Sequence, residues 1–380
     1  MEEPVRPFAF PAAALAFVFA AFPASAPVPA PVPDFGIISH HDGTLNEQVT
    51  WLMRQRGFKH ARMDLMWERD PSALRDQASR IRANGGTVQV SLQVAYQWDH
   101  SCNRNLALLE QQAHDEAATL INAVKDVIHD FELLNEVQLR PEIQQEVTWN
   151  SAGASAAPYK GKPCVAALTA ALRGMSRAVA DVRASSGLPL RAILGVVGRD
   201  FGYLSYMRQQ GVQWDVTGFH VYPKADQRSL LADPWYGPGG PFAQLASFGK
   251  PVHVNELNCG EIYAPDFGSR ASVEKCLRGL TRHLWAIRRQ QVAHIEAVYF
   301  YELFDEPQKE APENRFGLMQ DLAHPKVLLF LASAFAGGAL SAGERLELTS
   351  RGLLTDAEID AFRVGPAATS RAEPGRPARD

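Results

Sequence analysis

From residue 34 onward, short runs rich in Val, Ile and Leu alternate with amphipathic stretches, eight times in strict order. Strands buried on both faces read as near-continuous apolar runs, and the stretches between them carry apolar residues at helical spacing. The runs predict strands over Phe35–His40, His60–Trp67, Thr87–Tyr96, Val127–Glu136, Leu190–Val197, Val216–Tyr222, Pro251–Glu256 and Ile295–Leu303. Helices are expected over Asn46–Arg56, Pro71–Ala83, Leu106–Val124, Val165–Ser185, Tyr203–Gln210, weakly over Phe242–Phe248, then Val273–Gln290 and Pro325–Ala336. Several stop at glycine, as at Asn84-Gly85-Gly86 and at Gly211, where a left-handed cap is favoured. Strict alternation predicts an α/β fold closed as a (β/α)8 TIM barrel. A doubly wound open sheet is the alternative, but no Gly-x-Gly-x-x-Gly follows the first strand and no Gly-x-x-x-x-Gly-Lys-Ser/Thr loop is present.

The pattern divides the chain into a leader, 1–33, a barrel, 34–340, and an extension, 341–380. Phe8 to Phe22 is almost wholly apolar, follows Arg6 and precedes Pro23-Ala24-Ser25-Ala26 and a Pro-rich tract, which reads as an export signal. Glu2, Glu3 and Pro27 weaken that reading and leave an uncleaved anchor on a Pro-rich tether as the alternative. The apolar stretch falls short of the roughly 20 residues that span a bilayer, which favours the signal. The connection after the fourth strand, Val137 to Pro163, carries Trp149 and Tyr159, exposed by context, on the face where barrels do chemistry. Beyond Gly338 the chain turns polar, with one small helix expected over Thr355–Phe362 and a disordered tail from Gly365.

Composition narrows the partners more than the fold. The 380 residues, 46% of them hydrophobic, can bury a large core, and the net charge of -4, with no basic run interleaved with aromatics, argues against nucleic acid. A secreted or periplasmic monomer is expected. Export would place Cys102, Cys164, Cys259 and Cys276 where two disulfides form. Three connectivities are open; Cys102 with Cys164 and Cys259 with Cys276 is the expected one, because each pair then falls near one rim. No Cys-x-x-Cys pair exists for zinc. His40-His41-Asp42 closes the first strand, but later strands lack the ligands a metal-dependent hydrolase needs, so neither metal nor other cofactor is expected.

The chemistry lies in two short segments. Leu134-Asn135-Glu136 and Val254-Asn255-Glu256 each put a Glu after an Asn at the carboxyl end of a strand, the fourth and the seventh of eight. Alternation places Glu132, Leu134 and Glu136 on one face, with Glu132 lower in the barrel and paired to an inward Arg. Two such segments resemble the acid/base and nucleophile motifs of clan A retaining glycoside hydrolases, over roughly residues 34 to 340. Arg62 on the second strand and His220-Val221-Tyr222 on the sixth agree with the resemblance. The Arg-Met-Asp-Leu-Met-Trp order from Arg62, with Phe316-Gly317-Leu318 and Pro325-Lys326, is most similar to family 39 and its bacterial polysaccharide-hydrolase relatives, family 5 endoglycanases following.

The resemblance implies a carbohydrate substrate, Glu136 as acid/base, Glu256 as nucleophile and Asn135 on the sugar 2-hydroxyl. Arg62 and Tyr222 would favour the ionised form of Glu256, while Glu256 and limited solvation would raise the pKa of Glu136. His220 divides evenly between a core histidine and a site residue; His40 is expected to bind a hydroxyl. Trp67, Tyr96, Trp98 and Tyr301 fall near strand ends, where flat rings stack on sugars, and Trp98 and Tyr301 are the expected platforms. The eighth strand, Phe300-Tyr301-Glu302-Leu303-Phe304, lacks the Trp many clan members carry, and Glu302, Asp305 and Glu306 read as a solvated acidic rim. A noncatalytic carbohydrate-binding barrel of an envelope polysaccharide system is the rival reading.

Overall fold

The computed structural model describes residues 32–40, 44–151 and 153–364. The expected leader up to residue 31, His41, Asp42 and the tail from Gly365 lie outside the described residues. Eight parallel strands close into a barrel in sequence order: β1 (Asp34–Ile38), β2 (His60–Met66), β3 (Val88–Gln93), β4 (Asp130–Leu133), β5 (Arg191–Val197), β6 (Val216–Val221), β7 (Val252–Leu257) and β8 (Ile295–Phe300). Closure is through β1 and β8, in the register Gly36 to Tyr299.

The helices stand outside: α1 (Glu47–Gln55), α2 (Ser72–Ala83), α3 (Leu106–Val124), α4 (Pro141–Glu146), α5 (Pro163–Ser186), α6 (Phe201–Gln209), α7 (Gly240–Ala246), α8 (Arg270–Arg289) and α9 (Val327–Phe335). Local signals start several of them. The Asn46, Asn105 and Ser269 side chains accept from the backbone N–H of Val49, Leu108 and Ser272, satisfying donors that a helix start leaves open. α5 stops at Gly187, at φ 70°, as a left-handed cap requires.

Two further helices follow the barrel. The single helix expected over Thr355–Phe362 is α11 (Asp356–Val364), and α10 (Ala342–Ser350) precedes it, started by a capping box between Ser341 and Glu344 that the polar composition concealed. Phe362 packs on Trp285 and Phe335 at centroid distances of 4.9 and 4.8 Å, and Arg288 lies over its ring. Arg56, just after α1, holds Glu344 with two hydrogen bonds of 2.9 and 2.7 Å.

The disulfides join Cys102 to Cys164 and Cys259 to Cys276, the expected connectivity. No helix among the described residues is long and apolar enough to cross a membrane.

The barrel interior is polar, and two glycines make room for it. Gly195 on β5 and Gly218 on β6 face each other in register. A Cβ on Gly195 would stand 2.7 Å from Glu132 Oε1, and one on Gly218 would stand 2.5 Å from Asn255 Nδ2. Lower down, His253 reaches Gln89 at 2.8 Å and Glu296 at 3.1 Å, and Arg191 links Glu296 to Asp130. His253 and Glu256 are three residues apart, which strict alternation would put on opposite faces. The β7–β8 register shifts between Val254 and Leu257, and both side chains point inward.

Candidate active site

Glu132 is the buried foundation of the site. It accepts from Arg62 Nε at 2.7 Å and pairs with His220 Nε2 at 3.0 Å, linking β4 to β2 and β6. Burial alone would raise its pKa, but the Arg62 and His220 charges outweigh that and hold it at about 2. Arg62, 1% exposed, spends the rest of its fork on Glu256 Oε1 at 3.0 Å and Asn135 Oδ1 at 2.7 Å. A planar guanidinium with several fixed donors can join three partners in this way; an ammonium cannot. The pairing of Glu132 with an inward Arg is the one expected from the sequence.

Glu136 reaches the mouth by a different route from the one expected. β4 ends at Leu133, and Leu134 and Glu136 then take left-handed backbone, φ 63° and 44°. This breaks the pleat: Leu134 turns into the apolar core while Glu136 turns to the mouth. Left-handed backbone at a bulky residue is costly, and such strain gathers at functional positions.

Glu256 lies on β7 itself. Tyr222 donates to its Oε2 at 2.6 Å and Arg62 to its Oε1, so both oxygens are held. Burial pushes its pKa up, but His220, Arg62 and the Tyr222 hydrogen bond reverse that and leave it well below the usual carboxylate range. Burial and the nearby Glu256 charge raise Glu136, with His220 opposing them in part. Two carboxyl groups in one site are thus driven in opposite directions. His220 Nδ1 lies 3.2 Å from Glu136 and 3.3 Å from Glu256. Burial opposes charge on its imidazole, but Glu256, Glu132 and Glu136 raise its pKa well above the usual value.

Above this network opens a cavity of about 610 Å³. Glu136, Glu256, Asn135, His220, Tyr222, His40 and Tyr301 all line it, and Arg62 sits beneath. His40 Nδ1 is held by Asp64 at 2.7 Å, and Asp64 in turn by Gln93 at 3.0 Å, which leaves Nε2 as the remaining polar atom of the ring. Tyr301 meets His40, Tyr222 and Phe316 edge-on and donates to Glu313 at 3.0 Å.

Trp98 is not among the lining residues. The turn that carries it, Ala95–Trp98, is drawn aside by Arg140, which donates to the carbonyls of Tyr96 and Asp99 and stacks on the Tyr96 ring. Tyr96 is buried there, and Trp67 packs against the core. Tyr159, expected to be exposed, is buried against Tyr203 and Tyr206. The acidic rim is corrected as well: Glu302 and Glu306 are buried, and Asp305 is tied to Lys326.

The aromatic wall is instead Trp149, Trp235, Tyr236 and Tyr263. Arg199 links the loops that carry its two tryptophans, donating to the carbonyl of Asn150, next to Trp149, at 2.7 Å and stacking 5.1 Å over Trp235. The signal for Trp235 and Tyr236 was their place in a Pro- and Gly-rich loop after a strand, where a barrel puts binding residues.

One oxygen of Glu136, one of Glu256 and a His220 nitrogen all lie within 4.8 Å of one another, close enough to share a cation. The donor set argues for another occupant: a raised His220 and the Arg62 guanidinium already supply the positive charge these carboxylates need.

No family model and no curated protein matches the chain. Among solved structures, it is similar to an endo-1,4-beta-xylanase from Caldicellulosiruptor owensensis, with 11% identity over 80% of this chain and 99% of that one and a TM-score of 0.53. A GH10 xylanase from Bispora sp. MEY-1, solved with xylobiose, matches at 13% identity over 79% and 95% of the two chains, TM-score 0.52. A beta-glucosidase from Exiguobacterium marinum matches at 11% identity over 79% and 97%, TM-score 0.51. At these identities the likeness is one of fold: the chain has the closed eight-stranded parallel barrel of these glycosidases.

Proposed function

We propose that the protein is a glycoside hydrolase that cleaves O-glycosidic bonds of a poly- or oligosaccharide with retention of configuration, by double displacement. The observation that carries the proposal is the approach of Glu136 and Glu256, with carboxylate oxygens within 4.8 Å, at the ends of β4 and β7. Retaining enzymes hold their two carboxyl groups roughly 5–5.5 Å apart, whereas inverting enzymes leave room for a water at roughly 6.5–9.5 Å. Glu136, with its raised pKa, protonates the leaving oxygen; Glu256, kept ionised, attacks the anomeric carbon. Water then enters the glycosyl-enzyme with Glu136 acting as base. Asn135, whose carbonyl oxygen is taken by Arg62, offers its amide donors to the sugar 2-hydroxyl, and His40 offers Nε2 to another. The narrower likeness to family 39 belongs to this proposal, as do export from the cytoplasm, with which two disulfides agree, and a monomeric state.

The test is a panel of plant and bacterial polysaccharides and aryl glycosides, run on the wild type beside Glu256→Ala, with product anomers followed by NMR in the first minutes. Wild-type turnover that the variant loses by roughly 10⁴-fold or more is expected, with retained anomers. Inverted anomers would sink the nucleophile assignment, and glycan affinity without turnover would favour the noncatalytic barrel.

A further inference from the structure

The cavity has one feature that cleavage of a neutral sugar does not use. Lys224, two residues beyond Tyr222, lines it, and among the described residues its Nζ has neither a hydrogen bond nor an ion pair. The chain around it is tightly held. The Lys224 N–H donates to Gln227 Oε1 at 2.7 Å, and its carbonyl accepts from His283 Nε2 at 3.3 Å. Glu261 accepts from the Ala225 N–H at 2.6 Å, while Arg282 donates to the Ala225 and Gln227 carbonyls at 2.7 and 2.6 Å. The stem of Lys224 runs past Gly260, where a Cβ would come within 2.8 Å of Lys224 Cγ. The backbone that carries the ammonium is thus fixed at the cavity wall, and only the rotamers of its stem have to be ordered when it meets a partner.

Arg62 pairs with Glu132 and Glu256, and His220 lies against Glu132, Glu136 and Glu256, so these groups take one another as partners. None of these contacts reaches Lys224 Nζ, and Glu313, on the wall of the same cavity, accepts from the Tyr301 hydroxyl. Nearby, Trp149, Trp235 and Tyr263 line the same cavity and are 39%, 36% and 51% exposed, offering flat apolar faces suited to sugar rings.

We infer that the glycan bound in this cavity is anionic, bearing a carboxylate or a sulfate ester that Lys224 reads while the tryptophans stack its rings. The inference rests on the cavity being the glycosidase site and names its substrate class.

The test is calorimetric titration of the full chain carrying Glu256→Gln, so that bound glycan stays intact. The probes are glucuronate-containing oligosaccharides, the same oligosaccharides after carboxyl reduction, sulfated glucan oligosaccharides and unsubstituted ones. Binding of one anionic probe at least about tenfold tighter than its neutral counterpart is expected, as for a charge-assisted hydrogen bond. Lys224→Met should erase that preference and Lys224→Arg keep it, and higher salt should weaken only the anionic probe. The preferred arm separates carboxylate from sulfate. Equal binding of neutral and anionic probes, no binding of either anionic probe, or an unchanged preference in Lys224→Met overturns the inference. Glu256-dependent turnover of neutral glycans without charge preference would overturn it and leave the proposed function standing. Lys224-dependent anionic binding without wild-type turnover would do the reverse.

Discussion

The Tyr222 hydroxyl and Glu256 Oε2 are 2.6 Å apart, and the phenol is the donor. Burial and the Glu256 charge push the Tyr222 pKa well above the usual value, so the donor proton stays in place at any working pH. Tyr222→Phe leaves one oxygen of a buried carboxylate without its donor, a loss of about 1.5–3 kcal/mol for a hydrogen bond to a charged group. The expected outcome is a fall in kcat of roughly 10- to 100-fold on activated aryl glycosides, with the melting temperature lowered by about a few degrees. Full activity in this variant would mean that Arg62 alone orients Glu256.

The pH dependence follows from the opposite shifts of the two carboxyl groups. The proposed mechanism needs Glu136 protonated and Glu256 ionised, so kcat/KM should fall as pH rises through the raised pKa of Glu136. Glu256 lies well below the usual carboxylate range, so its own protonation should set no acid limb near pH 4 to 5. With aryl glycosides, whose leaving groups need little protonation, Glu136→Gln should abolish the alkaline limb while keeping measurable turnover. A persisting alkaline limb would assign it to another group.

Chelation addresses the Glu136, His220 and Glu256 cluster directly. Because Arg62 and His220 already balance these carboxylates, prolonged dialysis against EDTA should leave kcat unchanged, and millimolar zinc should inhibit by competing for His220. Loss of activity on dialysis, restored by one divalent ion, would reverse the assignment.

Glu302 makes a stability prediction. Burial and the neighbouring Glu306 raise its pKa from 4.5 to about 9. A carboxyl raised in this way stabilises the fold fully below the unfolded value and loses that contribution as pH climbs toward the folded one. Stability should therefore decline between about pH 4.5 and 9. Glu302→Gln keeps a neutral donor and cannot ionise, so its melting temperature should exceed that of the wild type by about 2 °C or more at pH 8, and the gap should shrink at pH 5.

Gly195 offers a test of the buried network without touching a charged residue. An added Cβ would meet Glu132 Oε1 at 2.7 Å and His220 Nε2 at 3.5 Å. Gly195→Ala should therefore displace the Glu132–His220 pair, costing about 1–3 kcal/mol of stability as overpacking does and lowering kcat more than it raises KM. Urea denaturation and steady-state kinetics read the two effects separately.

The barrel was readable because eight buried strands leave eight apolar runs, and observed strand starts and ends fall within a few residues of those expected from the pattern. Parallel strands buried on both faces leave little ambiguity of period. The side-chain cluster was readable where strand geometry carries the residue, as for Arg62, Glu132 and His220, with Tyr222 one residue past its strand. Alternation failed where the backbone left the strand: Glu136 arrives through two left-handed residues, and Glu256 shares an interior with His253 through a register shift. Loop side chains were hardest. Trp98 and Trp235 both follow strands, and only the tertiary contacts of Arg140 and Arg199 decide which one meets the cavity. Glu302 read as surface because charge suggests solvent, whereas the loop after β8 folds over it.

The bond between Arg56 and Glu344 joins the end of α1 to α10, the first and the last but one of the described helices. The strand that must meet β1 is β8, and the helix that fastens the seam follows still later. A chain made from its N-terminus therefore carries β1 as an unpaired, apolar edge through most of its synthesis, a template for pairing with other chains. Ring closure has to wait until β8 has been made, so the yield of this protein in a cell should follow the supply of chaperones that shield nascent chains more closely than its final thermodynamic stability. Stalled chains ending before Ile295 should show it, by cross-linking to such chaperones where chains ending beyond Glu344 do not.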